Sequence, residues 1–165
     1  MNLCNNKIGE KRMVELRDIN EDNFGDCLKL EVNENQKDFV AENIVSIAQA
    51  WLYQKNAQPF AIYNNDEIVG FVMLDIDGDR DGSKRRCGLW RFMIDKKYQG
   101  KGYGKESMKL ILEYAKKTLN SKEMETSIVK ENIIAEKLYK SFGFEFNGEV
   151  DEDDERIMLL NLSNK

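Results

Sequence analysis

Residues 89–117, LWRFMIDKKYQGKGYGKESMKLILEYAKK, constrain the fold more than any other part of the chain. Leu89–Ile94 is apolar except at Arg91, which predicts a strand buried between two layers. Gln99-Gly100-Lys101-Gly102-Tyr103-Gly104 then brings three glycines to the entrance of a long amphipathic helix. Glycine there lets the backbone approach a ligand and leaves the first amides of the helix unobstructed. Those amides and the positive end of the helix dipole form an anion site, most often for phosphate.

The 165 residues, 41% hydrophobic and 33% charged, suit one domain with a single core. A net charge of −5 disfavours a general nucleic-acid binder, which needs a basic face, and is compatible with a cationic substrate. Cys4, Cys27 and Cys87 are odd in number and lack metal-ligand spacing, so a reduced cytoplasmic protein is expected. No run of about 18 apolar residues and no signal peptide stand out, so neither membrane nor secretion is indicated. There is no histidine, which excludes a histidine base, a Ser-His-Asp triad and histidine metal ligands.

In chain order, residues 1–12 are polar and aperiodic and read as a flexible leader to a domain spanning 13–165, with Met13 a second candidate start. Met13–Ile19 alternates as a strand, and Asn20 or Asp22 is placed to cap a helix through Phe24, Cys27, Leu28 and Val32. A second helix is expected over Gln36–Tyr53, its stripe formed by Phe39, Val40, Ile44, Ile47, Ala48 and Trp51. Pro59 opens a strand Phe60–Tyr63, the turn Asn64-Asn65-Asp66 follows, and Ile68–Ile76 completes a hairpin. The acidic loop Asp75–Gly82 matches part of a calcium loop through Asp77, Asp79, Asp81 and Gly82. Its twelfth position is Gly88, however, where a bidentate glutamate belongs, so a hydrated hairpin loop is favoured and no metal is expected.

Beyond the long helix, Glu123–Val129 is a strand with Met124, Thr126 and Ile128 on one side. Asn132 is placed to cap a helix whose stripe is Ala135, Leu138, Tyr139 and Phe142, and Gly143 ends it. Phe144–Phe146 leads into a strand, Glu149–Glu155 is an acidic turn, and Arg156–Leu162 closes the chain as a strand. The order β-α-α-β-β-β-α-β-α-β-β describes one mixed α/β domain.

Gln99-x-x-Gly102-x-Gly104, after a strand and opening a helix, resembles the acetyl-CoA signature of the GCN5-related N-acetyltransferases, the GNAT family. Asn132-x-x-Ala135-x-x-Leu138-Tyr139-x-x-x-Gly143-Phe144 resembles the family's second signature, and the resemblance runs from Val14 to Leu162. Arg91-Phe92 and Phe144-x-Phe146-Asn147-Gly148-Glu149 are similar to bacterial spermine/spermidine (diamine) acetyltransferases.

The resemblance implies a single-domain GNAT-like fold: a mixed, mostly antiparallel sheet with a splayed central strand and about four helices. It implies acetyl-CoA as co-substrate, bound by Gln99, Gly100, Lys101, Gly102, Tyr103, Gly104 and Lys105, with the pyrophosphate on the backbone amides from Gly100 to Lys105. The pantetheine arm would lie along the main chain of Phe92, Met93 and Ile94, with Asn132 and Ala135 nearby. From periodicity alone Tyr139 reads first as a packed core tyrosine; the resemblance reverses that and makes it the general acid that protonates the leaving thiolate. Some relatives carry an acid where this chain has Trp90, so the base is open among Glu31, Glu34, Asp38, Glu42, Asp75 and a water-mediated route. Glu34, Asp38 and Asp75 are the candidates for binding the amine. A small cationic amine, above all a polyamine, is the expected substrate. A protein N-terminus, an aminoglycoside-like amine and a non-catalytic acyl-CoA-binding module are the alternatives. The family often dimerises, and Arg156–Leu162 is the candidate strand for a homodimer.

Overall fold

The computed structural model describes residues 13–76 and 85–163. The proposed leader, Cys4 and the calcium-like positions Asp77 to Gly82 lie outside the described residues. The elements are β1 (Val14–Asp18), α1 (Phe24–Leu28), a 3-10 turn (Glu34–Gln36), α2 (Asn43–Leu52), β2 (Ala57–Asn64), β3 (Glu67–Asp75), β4 (Arg86–Ile94), α3 (Tyr103–Lys117), β5 (Glu123–Ile128), α4 (Ile133–Ser141), β6 (Glu145–Val150) and β7 (Arg156–Asn161). Their order is the one expected from periodicity.

All seven strands join one sheet in the order β1-β2-β3-β4-β5-β7-β6. Every neighbouring pair is antiparallel except β4 and β5. Two apolar layers sandwich β4, as its composition demands. Leu89 joins the core under α3 and α4 with Met108, Ile111 and Tyr139, while Met93 joins the opposite layer with Ala50, Phe71 and Met73. On α3 the buried residues Tyr103, Ser107, Met108, Ile111 and Ala115 recur at three- and four-residue spacing, which gives the helix its apolar face.

The outer elements depart from expectation. Strand β2 begins at Ala57 and runs through Pro59, which is tolerated because β1 pairs only as far as Phe60 and leaves that end of β2 without a neighbour on one side. Helix α1 starts after Asn23, not Asn20 or Asp22, and stops at Leu28, short of Val32. Asn20 instead forms a turn, its side chain accepting from the Asp22 and Asn23 amides. The second helix is confined to Asn43–Leu52, and its stripe is rotated: Asn43, Ser46 and Ala50 face the protein, whereas Ile44 and Trp51 are 57% and 70% exposed. Small residues let α2 lie close over Phe71 and Met73, and the buried Asn43 amide donates to the Cys27 carbonyl at 2.8 Å. Strand β7, expected as a dimer strand, is paired on both sides by β5 and β6 and so presents no free edge.

Candidate active site

The site begins where two parallel strands stop pairing. β4 and β5 are matched only at Arg86↔Glu123, Cys87↔Met124 and Gly88↔Glu125, although both continue beyond. Arg86 clamps the root through ion pairs to Glu123 and Glu125, each at 2.7 Å. One step further, the Thr126 hydroxyl donates to the Leu89 carbonyl at 3.1 Å. The register with β3 jumps from Leu74↔Leu89 to Met73↔Arg91, leaving Trp90 as the extra residue of a β-bulge. A bulge bends and twists its strand, which turns β4 away from β5. The main chain of Phe92, Met93 and Ile94 therefore borders the gap, backed by Val72, Phe71 and Gly70. Gly70 is dictated by contact, since a Cβ there would lie 2.5 Å from the Met93 carbonyl oxygen.

At the end of β4 the loop is fixed by Asp95, which the sequence reading passed over. Its carboxylate accepts from the amides of Glu31 and Lys97, both at 2.9 Å, and its carbonyl accepts from Tyr98 and Gln99. The Gln99 side chain accepts from Asn33 at 2.9 Å and donates to Gln36 at 2.8 Å and to the Ile94 carbonyl at 3.0 Å. Gly100 and Gly102 then take φ of 72° and 92°, where a side chain is strained. The Gly102 carbonyl receives the first helical bonds, from Lys105 and Glu106, so the amides before Lys105 precede the ladder of α3. A Cβ at Gly100 would meet nothing within 4 Å, so the loop faces open space. Glycine backbone, open space and a fifteen-residue helix end together fit a pyrophosphate. Lys105 lines the same cleft, while the Lys101 ammonium donates to the Lys97 carbonyl at 2.8 Å and sits 5.5 Å from the Tyr98 ring. Tyr103 is buried edge-on to Tyr98, with ring centroids 6.0 Å apart.

Asn132 caps α4, its side-chain oxygen accepting from the Ala135 amide at 3.2 Å. The cap orients the helix so that Asn132, Ala135, Leu138 and Tyr139 line the cleft. Tyr139 is 6% exposed and its ring lies 5.5 Å from that of Phe144. Burial pushes its phenol up to about 12; the Thr126 hydroxyl opposes the shift and the charge of Glu155 adds to it. The group therefore stays a neutral proton donor at ordinary pH.

One cleft of about 1780 Å³ joins the glycine loop, the fork and Tyr139 to a region under α2. There Trp90 meets Tyr53 with ring centroids 5.8 Å apart. Arg91 donates to the Trp90 carbonyl at 2.9 Å and to Gln49 at 3.3 Å, and burial pulls its guanidinium down from its ordinary value against the charges of Glu155 and Asp153. Asp38 and Asp75 line the cleft. Glu34, Glu31 and Glu42 are not among the described lining residues: Glu34 pairs with Lys37 at 2.6 Å, Glu31 pairs with Lys96, and Glu42 precedes α2 as its N-cap. The acids that sequence reasoning missed are Glu125 on β5 and Asp151, Glu152, Asp153 and Glu155, from the run read only as a turn. Their density was visible in the sequence; that β5 and β7 pair, and so carry the turn to the fork, was not.

With this geometry the matches to known proteins are consistent. The family model described as acetyltransferase (GNAT) family matches residues 13–144. A probable spermine N(1)-acetyltransferase of Bacillus subtilis subsp. natto is 35% identical, and the spermine/spermidine N(1)-acetyltransferase of Bacillus subtilis strain 168 is 34% identical. Each match covers 90% of this chain and 99% of the relative. In fold, the chain resembles the spermidine N-acetyltransferase of Vibrio cholerae solved with CoA and spermine, with a TM-score of 0.72 and 19% identity over 91% of this chain and 96% of the other. The forked sheet and its glycine loop are thus those of a known lineage, and the chain belongs to the acetyltransferase (GNAT) family.

Proposed function

We infer that the enzyme transfers an acetyl group from acetyl-CoA to a primary amine of a polyamine such as spermidine or spermine, by direct attack on the thioester. One observation carries the substrate class. Besides the glycine loop, the cleft is lined by Asp38, Asp75, Asp151, Glu152, Asp153 and Glu155 and by the aromatic pair Tyr53 and Trp90. Carboxylates attract ammonium groups and aromatic faces accommodate methylene segments, and a polyamine alternates the two. Relatives at 34–35% identity named for spermine and spermidine support the same reading.

Acetyl-CoA supplies an acetyl thioester already activated toward amines. In this reading the amides from Gly100 to Gly104 hold the pyrophosphate, since the Lys105 amide is already bonded to the Gly102 carbonyl, and main-chain groups of Phe92 to Ile94 orient the arm along the fork. Tyr139 donates its phenolic proton as charge develops on sulfur. The two described cysteines, Cys27 and Cys87, are free and buried, which suits a reducing cytoplasm. The test is incubation with acetyl-CoA and single amines (spermidine, spermine, putrescine, a peptide N-terminus, an aminoglycoside), followed by mass spectrometry. A monoacetylated polyamine is the expected product. Acetyl-CoA binding without any acetylated amine would leave only a binding module.

A further inference from the structure

Resting on that reading, we propose that Glu155 is the base that takes the proton from the attacking amine, the role left open by Trp90. On β5, Met124, Thr126 and Ile128 are buried toward α3 and α4, so Ser127 points to the other face. The Ser127 hydroxyl donates to the Glu155 carboxylate at 2.9 Å, which fixes that carboxylate on the face of β5 opposite Tyr139. The backbone holds it there too. The Glu155 carbonyl accepts from the Asp151 amide at 2.9 Å, and the Glu155 amide donates to the Asp151 carboxylate at 3.0 Å. The gap between β4 and β5 opens next to Thr126, between these two faces. An amine arriving on the side of α2 meets Glu155, while the sulfur leaves on the side of Tyr139.

The other acids are less well placed. Asp75 packs over Gly88 at the root of the fork, and Asp38 approaches from the segment before α2. Glu155 is the acid whose charge bears on both the Tyr139 phenol and the Arg91 guanidinium.

The steps balance. Glu155 takes one proton from the ammonium and passes it to water through the open cleft. The freed nitrogen lone pair forms the N–C bond, the C–S bond breaks, and the thiolate takes the Tyr139 proton. The second proton leaving nitrogen restores Tyr139 by way of solvent. The products are amide, thiol and one proton.

The charge of Glu155 acts on Arg91 from β4 and, across the fork, on Tyr139 from α4; Asp151 of its own turn accepts from its amide, and Asp153 of that turn acts with it on Arg91. The experiment uses Glu155→Gln, which can still accept from Ser127, with melting temperature and acetyl-CoA affinity measured as checks of folding. Spermidine binding without acetyl-CoA is followed by calorimetry, and turnover by thiol release across pH. The expected result is a kcat at least about a hundredfold lower, rising in proportion to hydroxide as solvent replaces the base, with spermidine binding weakened far less. A variant with unchanged kcat and pH profile would overturn the assignment. So would one that loses spermidine affinity at unchanged kcat, since Glu155 would then only anchor the substrate. A misfolded Glu155→Gln would move the same measurements to Glu155→Asp, which keeps a displaced carboxylate. There a partial kcat with the wild-type pH profile is expected, and full wild-type kcat would overturn it. Wild type turning over no amine at all would overturn both this assignment and the polyamine reading, whereas active wild type with an unaffected variant overturns this one alone.

Discussion

The Thr126 hydroxyl donates to the Leu89 carbonyl at 3.1 Å, across the point where β4 and β5 cease to pair. Below it three register pairs hold the strands together, and above it the strands diverge. Thr126→Val keeps the shape and removes a buried donor to that carbonyl. A loss of about 1–3 kcal/mol in urea unfolding is expected, together with weaker acetyl-CoA binding; Thr126→Ser should retain both. Equal stability of the valine and serine variants would show the bond to be incidental.

Tyr139→Phe removes one oxygen from a ring packed against Phe144. In the proposed role of proton donor to sulfur, that oxygen is expected to be worth about 10²–10⁴ in kcat, with acetyl-CoA affinity unchanged in calorimetry. Full turnover by the variant would return Tyr139 to the core.

The same phenol makes the fold sensitive to alkali. Its ordinary value is 10.0, and burial raises it to about 12 in the folded chain. Between those values the unfolded chain has lost a proton that the folded chain keeps. Stability fully present below pH 10 is therefore lost as pH rises toward 12, on the order of 2–3 kcal/mol. Urea unfolding of wild type and Tyr139→Phe at about pH 8 and pH 11 should show the larger drop in wild type; equal drops would mean that the phenol is not desolvated.

Two glycines should fail differently. At Gly100, with φ of 72° and no neighbour near a Cβ, alanine costs about 1–2 kcal/mol of backbone strain without a clash, and weakens acetyl-CoA binding. At Gly70 a Cβ would sit 2.5 Å from the Met93 oxygen, so Gly70→Ala must displace β4. A larger loss of stability is expected there, about 1–3 kcal/mol or more, and denaturant melts of the two variants would compare them.

Local chemistry is what the sequence made readable. The apolar run Leu89–Ile94, the glycines after Gln99 and the capping Asn132 each declare an element and its neighbour in the chain, and each is observed where expected. The rotation of α2 was hidden because Ile44 and Trp51 look like core residues, while the true contact face consists of small and polar residues satisfied from elsewhere, as Asn43 is by Cys27. Asp95 and Glu155 were hidden for a different reason. Their partners, Glu31 and Ser127, are 64 and 28 residues away, and only the sheet order brings them together. The cofactor half of the site is local in sequence; the amine half is assembled from α2, β3, β4 and the turn before β7.

The most direct test of polyamine acetylation is steady-state thiol release at saturating acetyl-CoA, comparing kcat/KM for spermidine with that for a peptide N-terminus and an aminoglycoside. Carboxylates and aromatic rings in the amine half of the cleft predict a preference for spermidine of at least about tenfold, or about 1.4 kcal/mol of transition-state binding. Equal values for the three amines, or release with the peptide or aminoglycoside alone, would contradict it.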